Sequence, residues 1–284
     1  PALINASLEI NEGEYVLLTG ASGCGKTTLI RQIKPELTPA GAREGSITYD
    51  GAAIESLNTR RAAAEIGFVQ QNPDNQIVTD YVWHELAFGL ECMGLSVGVI
   101  RRRVAEMAAF FGMESWFRNK TYALSGGQKQ LLNLAGALAM DPRLLILDEP
   151  TAMLDPLAAR ELLDAVGRIN KELGVAVLIT EHRLEQVLPA ADKIAVMERG
   201  RIISQGRPEE TVRNLCRSGE GDRLFFGMSA PVRIFAALGQ KELPLTVRDA
   251  RLGLKRILGD KKAQPLSVAA PKISAEPVLN AKEL

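Results

Sequence analysis

Cysteine is scarce in this 284-residue chain: Cys24, Cys92 and Cys216 are scattered, without metal-ligand spacing. That excludes a zinc module or a disulfide framework and reads as free thiols in a reducing cytosol. An excess of either charge is also missing, since 34 basic residues face 34 acidic ones. Such a balance provides no electrostatic footprint for nucleic acid or an anionic membrane surface. Long apolar runs are absent as well. The best stretch, residues 131–147, is broken by Asp141, Pro142 and Arg143, so nothing is long and apolar enough to span a bilayer. No signal-peptide pattern opens the chain, and there is no internal repeat or low-complexity tract. What is present is ordinary: 46% hydrophobic and 24% charged residues, the composition of a soluble globular protein. The length suits one domain plus additions.

Apolar runs and turn residues alternate along the chain. Residues 8–10 and 15–19 read as strands around a turn, and a Gly-rich turn and a helix over 27–33 follow. Residues 46–49 run into Asp50-Gly51, a hairpin signal. A short apolar run covers 66–70, and helical patterning covers 82–112, 125–140 and 158–173. Residues 144–147 and 175–180 are continuously apolar, as strands covered on both faces are. A second hairpin is expected over 193–204. This order predicts an α/β core with a mostly parallel sheet, with a helical subdomain between about 72 and 135. Beyond about 215, Gly and Pro punctuate short amphipathic stretches. From 259 the composition becomes that of a linker.

Gly20-Ala21-Ser22-Gly23-Cys24-Gly25-Lys26-Thr27 fits the G-x-x-x-x-G-K-[ST] phosphate loop, after an apolar strand and before a helix. Glycines let consecutive N–H groups curl inward on an anion, and the following helix start adds partial positive charge. Lys26 reaches the outer phosphates, and Thr27 is placed to ligate Mg²⁺. Downstream, Leu144-Leu145-Ile146-Leu147-Asp148-Glu149 sets two carboxylates at the end of a buried strand, the edge where open α/β sheets bind ligands. Asp148 suits Mg²⁺, and Glu149 suits a base that polarises the attacking water. Alone, that run would equally suit a strand entering a solvated turn. Leu124-Ser125-Gly126-Gly127-Gln128 precedes an amphipathic helix and reads as a second anion-binding helix start, or as a plain serine cap.

That Ser-Gly-Gly, about twenty residues before the acidic strand and well after the phosphate loop, resembles the ABC ATPases. Gln71 is similar to their Q-loop glutamine, Ala152-Met153-Leu154-Asp155 to their D-loop and His182 to their switch histidine. The resemblance covers roughly residues 3–215. It implies a P-loop NTPase core with antiparallel β and helical subdomains, followed by a small extension over 216–258. It further implies nucleotide contacts from Gly20, Ser22, Gly23, Cys24, Gly25, Lys26, Thr27 and Thr28. Ser125, Gly126, Gly127, Gln128 and Asp155 would serve a partner's site, because these domains pair head to tail with ATP between them. Catalytic roles fall on Glu149, His182 and Gln71, and metal contacts on Thr27, Asp148 and Gln71, with ATP and Mg²⁺ as ligands.

Gln71-Asn72-Pro73-Asp74-Asn75-Gln76, Thr180-Glu181-His182-Arg183 and the stretch after Leu215 are similar to the energy-coupling-factor (ECF) importer branch. There, a glutamine matching Gln76 lines the groove for a transmembrane coupling protein. The implied partners are a second ABC ATPase domain, that coupling protein and a membrane subunit that binds substrate. The implied place is the cytoplasmic face of the membrane, with vitamins or transition-metal ions as cargo and no nucleic acid. The rival readings are a soluble ABC ATPase and an inactive regulatory module. Two departures stand out. No aromatic precedes the first strand within the chain to stack on adenine, a contact worth about 1–3 kcal/mol in comparable settings. Leu131 stands where many members carry arginine. Residues 277–284 resemble the opening strand of another ABC domain, which predicts the first half of a tandem ATPase.

Overall fold

A computed structural model of the chain describes residues 2–218, 228–240 and 242–259. Its centre is a six-stranded sheet in the order β4-β5-β6-β1-β7-β8. The strands are β1 (Tyr15–Gly20), β4 (Ile66–Val69), β5 (Leu144–Asp148), β6 (Ala176–Thr180), β7 (Lys193–Glu198) and β8 (Arg201–Gly206). All neighbours pair in parallel except β7 and β8, which form the expected hairpin. β1, β4, β5 and β6 are buried along their whole length. Helices on both faces explain why these strands are apolar throughout and do not alternate.

Alternate residues serve two cores. Tyr15, Leu17, Leu145, Leu147, Val177 and Ile179 point into a core shared with α6 (Pro156–Leu173). Val16, Leu18, Ile146 and Leu178 point to the opposite face, against Ile30 of α1 (Lys26–Arg31). Removing such side chains from water contributes about 1.5–3 kcal/mol each. A third core joins α3 (Val82–Cys92), α4 (Val97–Phe110) and α5 (Gly126–Ala139) through Leu86, Leu90, Met113 and Leu132. Leu131 is half-buried and packs against both this cluster and the α6 core.

α2 (Thr59–Glu65) leads into β4, α7 (Leu184–Val187) follows β6, and α8 (Pro208–Ser218) follows β8. Beyond residue 228 lie α9 (Ala230–Ala237) and α10 (Val247–Leu258), whose Phe235 and Ala250 join the α6 core. The residues read as the opening of another domain, 277–284, fall outside the described residues.

Two local expectations change. Residues 8–10 are not a strand: they have no regular structure and no ladder partners. Apolar alternation supplies a strand's pattern, but a strand also needs an edge to pair with. The hairpin at Asp50-Gly51 forms, but only as β2 (Thr48–Tyr49) against β3 (Ala52–Ala53). The antiparallel portion beside the main sheet is therefore small.

Register does the positioning. Asp148 pairs with Thr180 across β5 and β6, Val69 lies opposite Leu147, and Leu18 lies opposite Thr180. The loops after β1, β4, β5 and β6 therefore emerge at one edge of the sheet. They carry residues 20–25, Gln71, Glu149 and His182 respectively.

Candidate functional site

The phosphate loop folds as its glycines require. Gly23 and Gly25 sit at φ 76° and 109°, a region costly for residues with a Cβ. At Gly20 a Cβ would lie 2.1 Å from the main-chain oxygen of Met197, so the loop can lie against β7 only with glycine there. Cys24 is buried, Ser22 is exposed, and Thr28 is half-buried on the first turn of α1. Lys26, only 4% exposed, donates to the carbonyls of Gly20 (3.0 Å) and Ala21 (3.3 Å). Its ammonium is thus held over the loop.

Glu149 links three of the predicted residues. One carboxylate oxygen lies 2.9 Å from His182 Nε2 and 3.5 Å from Lys26 Nζ. The other accepts from Gln71 Nε2 at 3.3 Å. Its backbone is left-handed, with φ 44°, a strained conformation of the kind that concentrates at functional sites. The Thr180 hydroxyl holds it there by accepting from the Glu149 N–H at 2.8 Å. Side chains from three segments far apart in sequence thus converge on one carboxylate.

Asp148 is 2% exposed and accepts from the hydroxyls of Thr27 (2.9 Å) and Thr180 (3.2 Å), with Arg31 4.0 Å away. Among the described residues no three His, Cys, Asp or Glu side chains cluster as a metal-holding group. A hydroxyl beside a carboxylate is nevertheless the hard oxygen pair that Mg²⁺ takes when substrate and water complete its shell. Thr27 and Asp148 therefore fit the ion. The Gln71 amide is turned to Glu149 instead.

Burial pushes the Asp148 carboxyl above its ordinary value of 3.8; hydrogen bonds from Thr27 and Thr180 and the charge of Arg31 oppose the rise, and Glu149 adds to it. The folded chain therefore holds this proton more tightly than the unfolded chain. That contribution is fully present below pH 3.8 and is lost as pH rises through the higher folded value. Asp148→Asn keeps an oxygen for the two hydroxyls and removes the buried charge. Without Mg²⁺ or nucleotide it should melt a few degrees above the parent at pH 7, converging with it near pH 3. Thermal melts at the two pH values check this, and equal melting temperatures at pH 7 would count against it.

The Ser-Gly-Gly segment stands apart. Ser125 caps α5 through a reciprocal pair: its hydroxyl accepts from Gln128 N (3.2 Å), and Gln128 Oε1 accepts from Ser125 N (3.0 Å). Gly126 beside it is exposed. Gly127 lies so close to α6 that a Cβ would meet that of Ala158 at 2.8 Å. Among the described residues no hydrogen bond or ion pair joins 125–128 to the phosphate loop. Asp155 is exposed and caps α6, accepting from the N–H groups of Leu157 and Ala158.

Several residues were not legible as site components. Gln130 and Asn133, buried on α5, donate to the carbonyls of Gln70 (2.9 Å) and Pro73 (3.1 Å), and Lys129 pairs with Asp74. The helix that begins at Ser125 thereby holds the segment that carries Gln71. Gln76, expected to line a groove, turns its amide inward to the main chain of Phe68 and Gln70. Glu181 is buried between His182 and Thr151. For Gln130, Asn133 and Glu181 the only local sequence signal is a polar side chain within an otherwise apolar helix or at a strand end.

Comparison with known proteins gives a consistent result. The ABC transporter family profile matches residues 3–152. A Bacillus cereus protein named as an ABC transporter ATP-binding protein is 45% identical over 251 residues, which is 88% of this chain and 45% of that protein. The chain thus spans about half the length of the relatives it matches at that level. The energy-coupling factor transporter ATP-binding protein EcfA1 of Symbiobacterium thermophilum is 42% identical, covering 74% of this chain and 72% of that one. Among solved structures, cbiO1 of Clostridium perfringens, part of the ABC transporter complex cbiONQ, superposes with a TM-score of 0.68 at 34% identity. The match covers 80% of this chain and 90% of that one.

Proposed function

Because this chain belongs to the ABC transporter family, we propose that it is the ATP-hydrolysing domain of an ECF-type importer for vitamins or transition-metal ions. Residues 1–215 form the ATPase domain, 216–258 an extension, and 259–284 a linker with the start of a second ABC domain. The observation that carries this reading is the convergence of Lys26, Gln71 and His182 on Glu149 at the loop edge of the sheet.

In this reading the 20–28 loop takes the phosphates of ATP, with Lys26 on the outermost. Thr27 and Asp148 hold Mg²⁺, which neutralises charge on the phosphate oxygens. Glu149 accepts a proton from the attacking water, and His182 contacts the γ-phosphate in the same domain. Gln71 reports on the site to the 71–76 segment, which faces a transmembrane coupling protein. Ser125, Gly126, Gly127 and Gln128 address ATP held by a second ABC domain, and Asp155 borders the same junction. ATP binding closes the pair and hydrolysis reopens it. No described helix is long and apolar enough to cross a membrane. In this reading the transmembrane partner holds the domain at the cytoplasmic face.

The test uses the full protein. We expect Mg²⁺-dependent phosphate release from ATP, and co-purification with a small, very hydrophobic membrane protein. Phosphate release without any membrane partner would point to a soluble ABC ATPase. No release would overturn the enzymatic reading.

A further inference from the structure

One buried ionisable side chain has no part in the hydrolytic scheme above. Glu181 directly follows β6 and is 2% exposed. Its Oε1 accepts from the Thr151 N–H at 3.1 Å and from the Thr151 hydroxyl. Its Oε2 accepts from the N–H groups of His182 (3.0 Å) and Arg183 (3.3 Å). Its main-chain carbonyl accepts the Thr19 hydroxyl at 3.3 Å. Among the described residues no cation is ion-paired with it. The Arg183 guanidinium turns away, to the carbonyl of Leu154 at 3.0 Å.

Burying a carboxylate without a cation is unfavourable unless hydrogen bonds satisfy it. Packing alone would place an apolar side chain here. Instead, four donors converge on the two oxygens, and they come from two different segments. One segment, 151–154, begins two residues after Glu149 and leads to the cap of α6. The other, 182–183, begins with the histidine that touches Glu149. A hydroxyl residue at 181 is too short to span both. The Arg183–Leu154 contact ties the same two segments at a second point.

We propose that Glu181 is a positioning residue: its carboxylate clasps the 151–154 turn to the 182–183 segment, so that His182 keeps its place against Glu149 and moves together with that turn. This rests on the roles given above to His182 and Glu149. Among the described residues the Glu181 carboxylate bonds to no residue of the 20–28 phosphate loop, only to Thr151, His182 and Arg183. The effect should therefore fall on kcat and not on KM.

Steady-state ATPase measurements on the full protein test this in a cycle with His182→Ala. Glu181→Gln turns a donor toward donors on one side of the clasp. It should lower kcat tenfold or more with the KM for ATP within twofold. Thr151→Val removes one hydroxyl at constant volume and should lower kcat two- to fivefold. Added to His182→Ala, each should slow turnover by less than twofold further, because it acts through that side chain. Should Glu181→Gln fail to accumulate as folded protein, the Thr151→Val cycle carries the test. The proposal is overturned if Glu181→Gln keeps more than half of the parental kcat, if KM alone changes, or if losses multiply with those of His182→Ala. A wild-type rate in His182→Ala alone defeats the switch role of His182. A loss in Glu181→Gln beside it overturns the positioning role as well.

Discussion

Glu149→Gln should lower ATP turnover by about 10²- to 10⁴-fold, the range over which a positioned general base contributes, while ATP binding holds or tightens. The amide keeps the shape of the carboxylate, its oxygen can still accept from one of the side chains around it, and the Thr180 hydroxyl still holds the backbone N–H, so the local fold should survive. What it loses is the ability to take a proton. The expected gain in binding comes from Lys26. Its ammonium lies 3.5 Å from the Glu149 carboxylate, so a phosphate oxygen that recruits Lys26 competes with that charge. A neutral amide removes the competitor. Single-turnover hydrolysis, measured beside nucleotide affinity, separates the two effects. Turnover within tenfold of the parent would remove Glu149 as the base. Loss of binding along with turnover would show that its main role is to hold the loop.

The same convergence shows how far the sequence could be read. Lys26, Thr27, Asp148 and Glu149 were visible because each sits in a contiguous run whose spacing has a physical reason: glycines before a lysine, or an apolar strand before two acids. Their meeting follows from strand register, which the apolar patterns of β1, β5 and β6 imply but do not state. The contacts of Glu181 were invisible for the opposite reason. Its donors are spread over residues 151 to 183, and a single glutamate at a strand end looks like any solvated turn. The orientation of Gln76 was not legible, because a resemblance fixes a residue's place in the chain but not where its amide points. Residues 8–10 misled because alternation predicts a face and says nothing about whether an edge is available for pairing.

Gly126→Asp should leave folding and ATP binding within this domain intact and still lower turnover by two orders of magnitude or more. The two effects oppose each other by design. A Cβ at Gly126 would meet only Leu154 Cδ2 at 3.8 Å and the Met153 oxygen at 3.9 Å, ordinary contact distances. An aspartate in the first turn of α5 is favoured by the helix dipole, by about 0.3–1 kcal/mol. Melting should therefore be unchanged or slightly raised, which separates this position from Gly127, where Ala158 leaves no room for a side chain. The residue is exposed and unconnected to its own phosphate loop, so nucleotide affinity within the domain should not change. If a partner's ATP docks on this helix start, the new carboxylate meets the γ-phosphate there. Two unit charges 4 Å apart repel by on the order of 4 kcal/mol near a protein surface, enough to disfavour the closed pair by a factor near a thousand at about 1.4 kcal/mol per tenfold. Melting temperature, nucleotide affinity and phosphate release together decide the matter. A folded Gly126→Asp protein that hydrolyses ATP at the parental rate would mean that nothing anionic approaches this end of α5. The pairing of two domains across the site would then have to be abandoned.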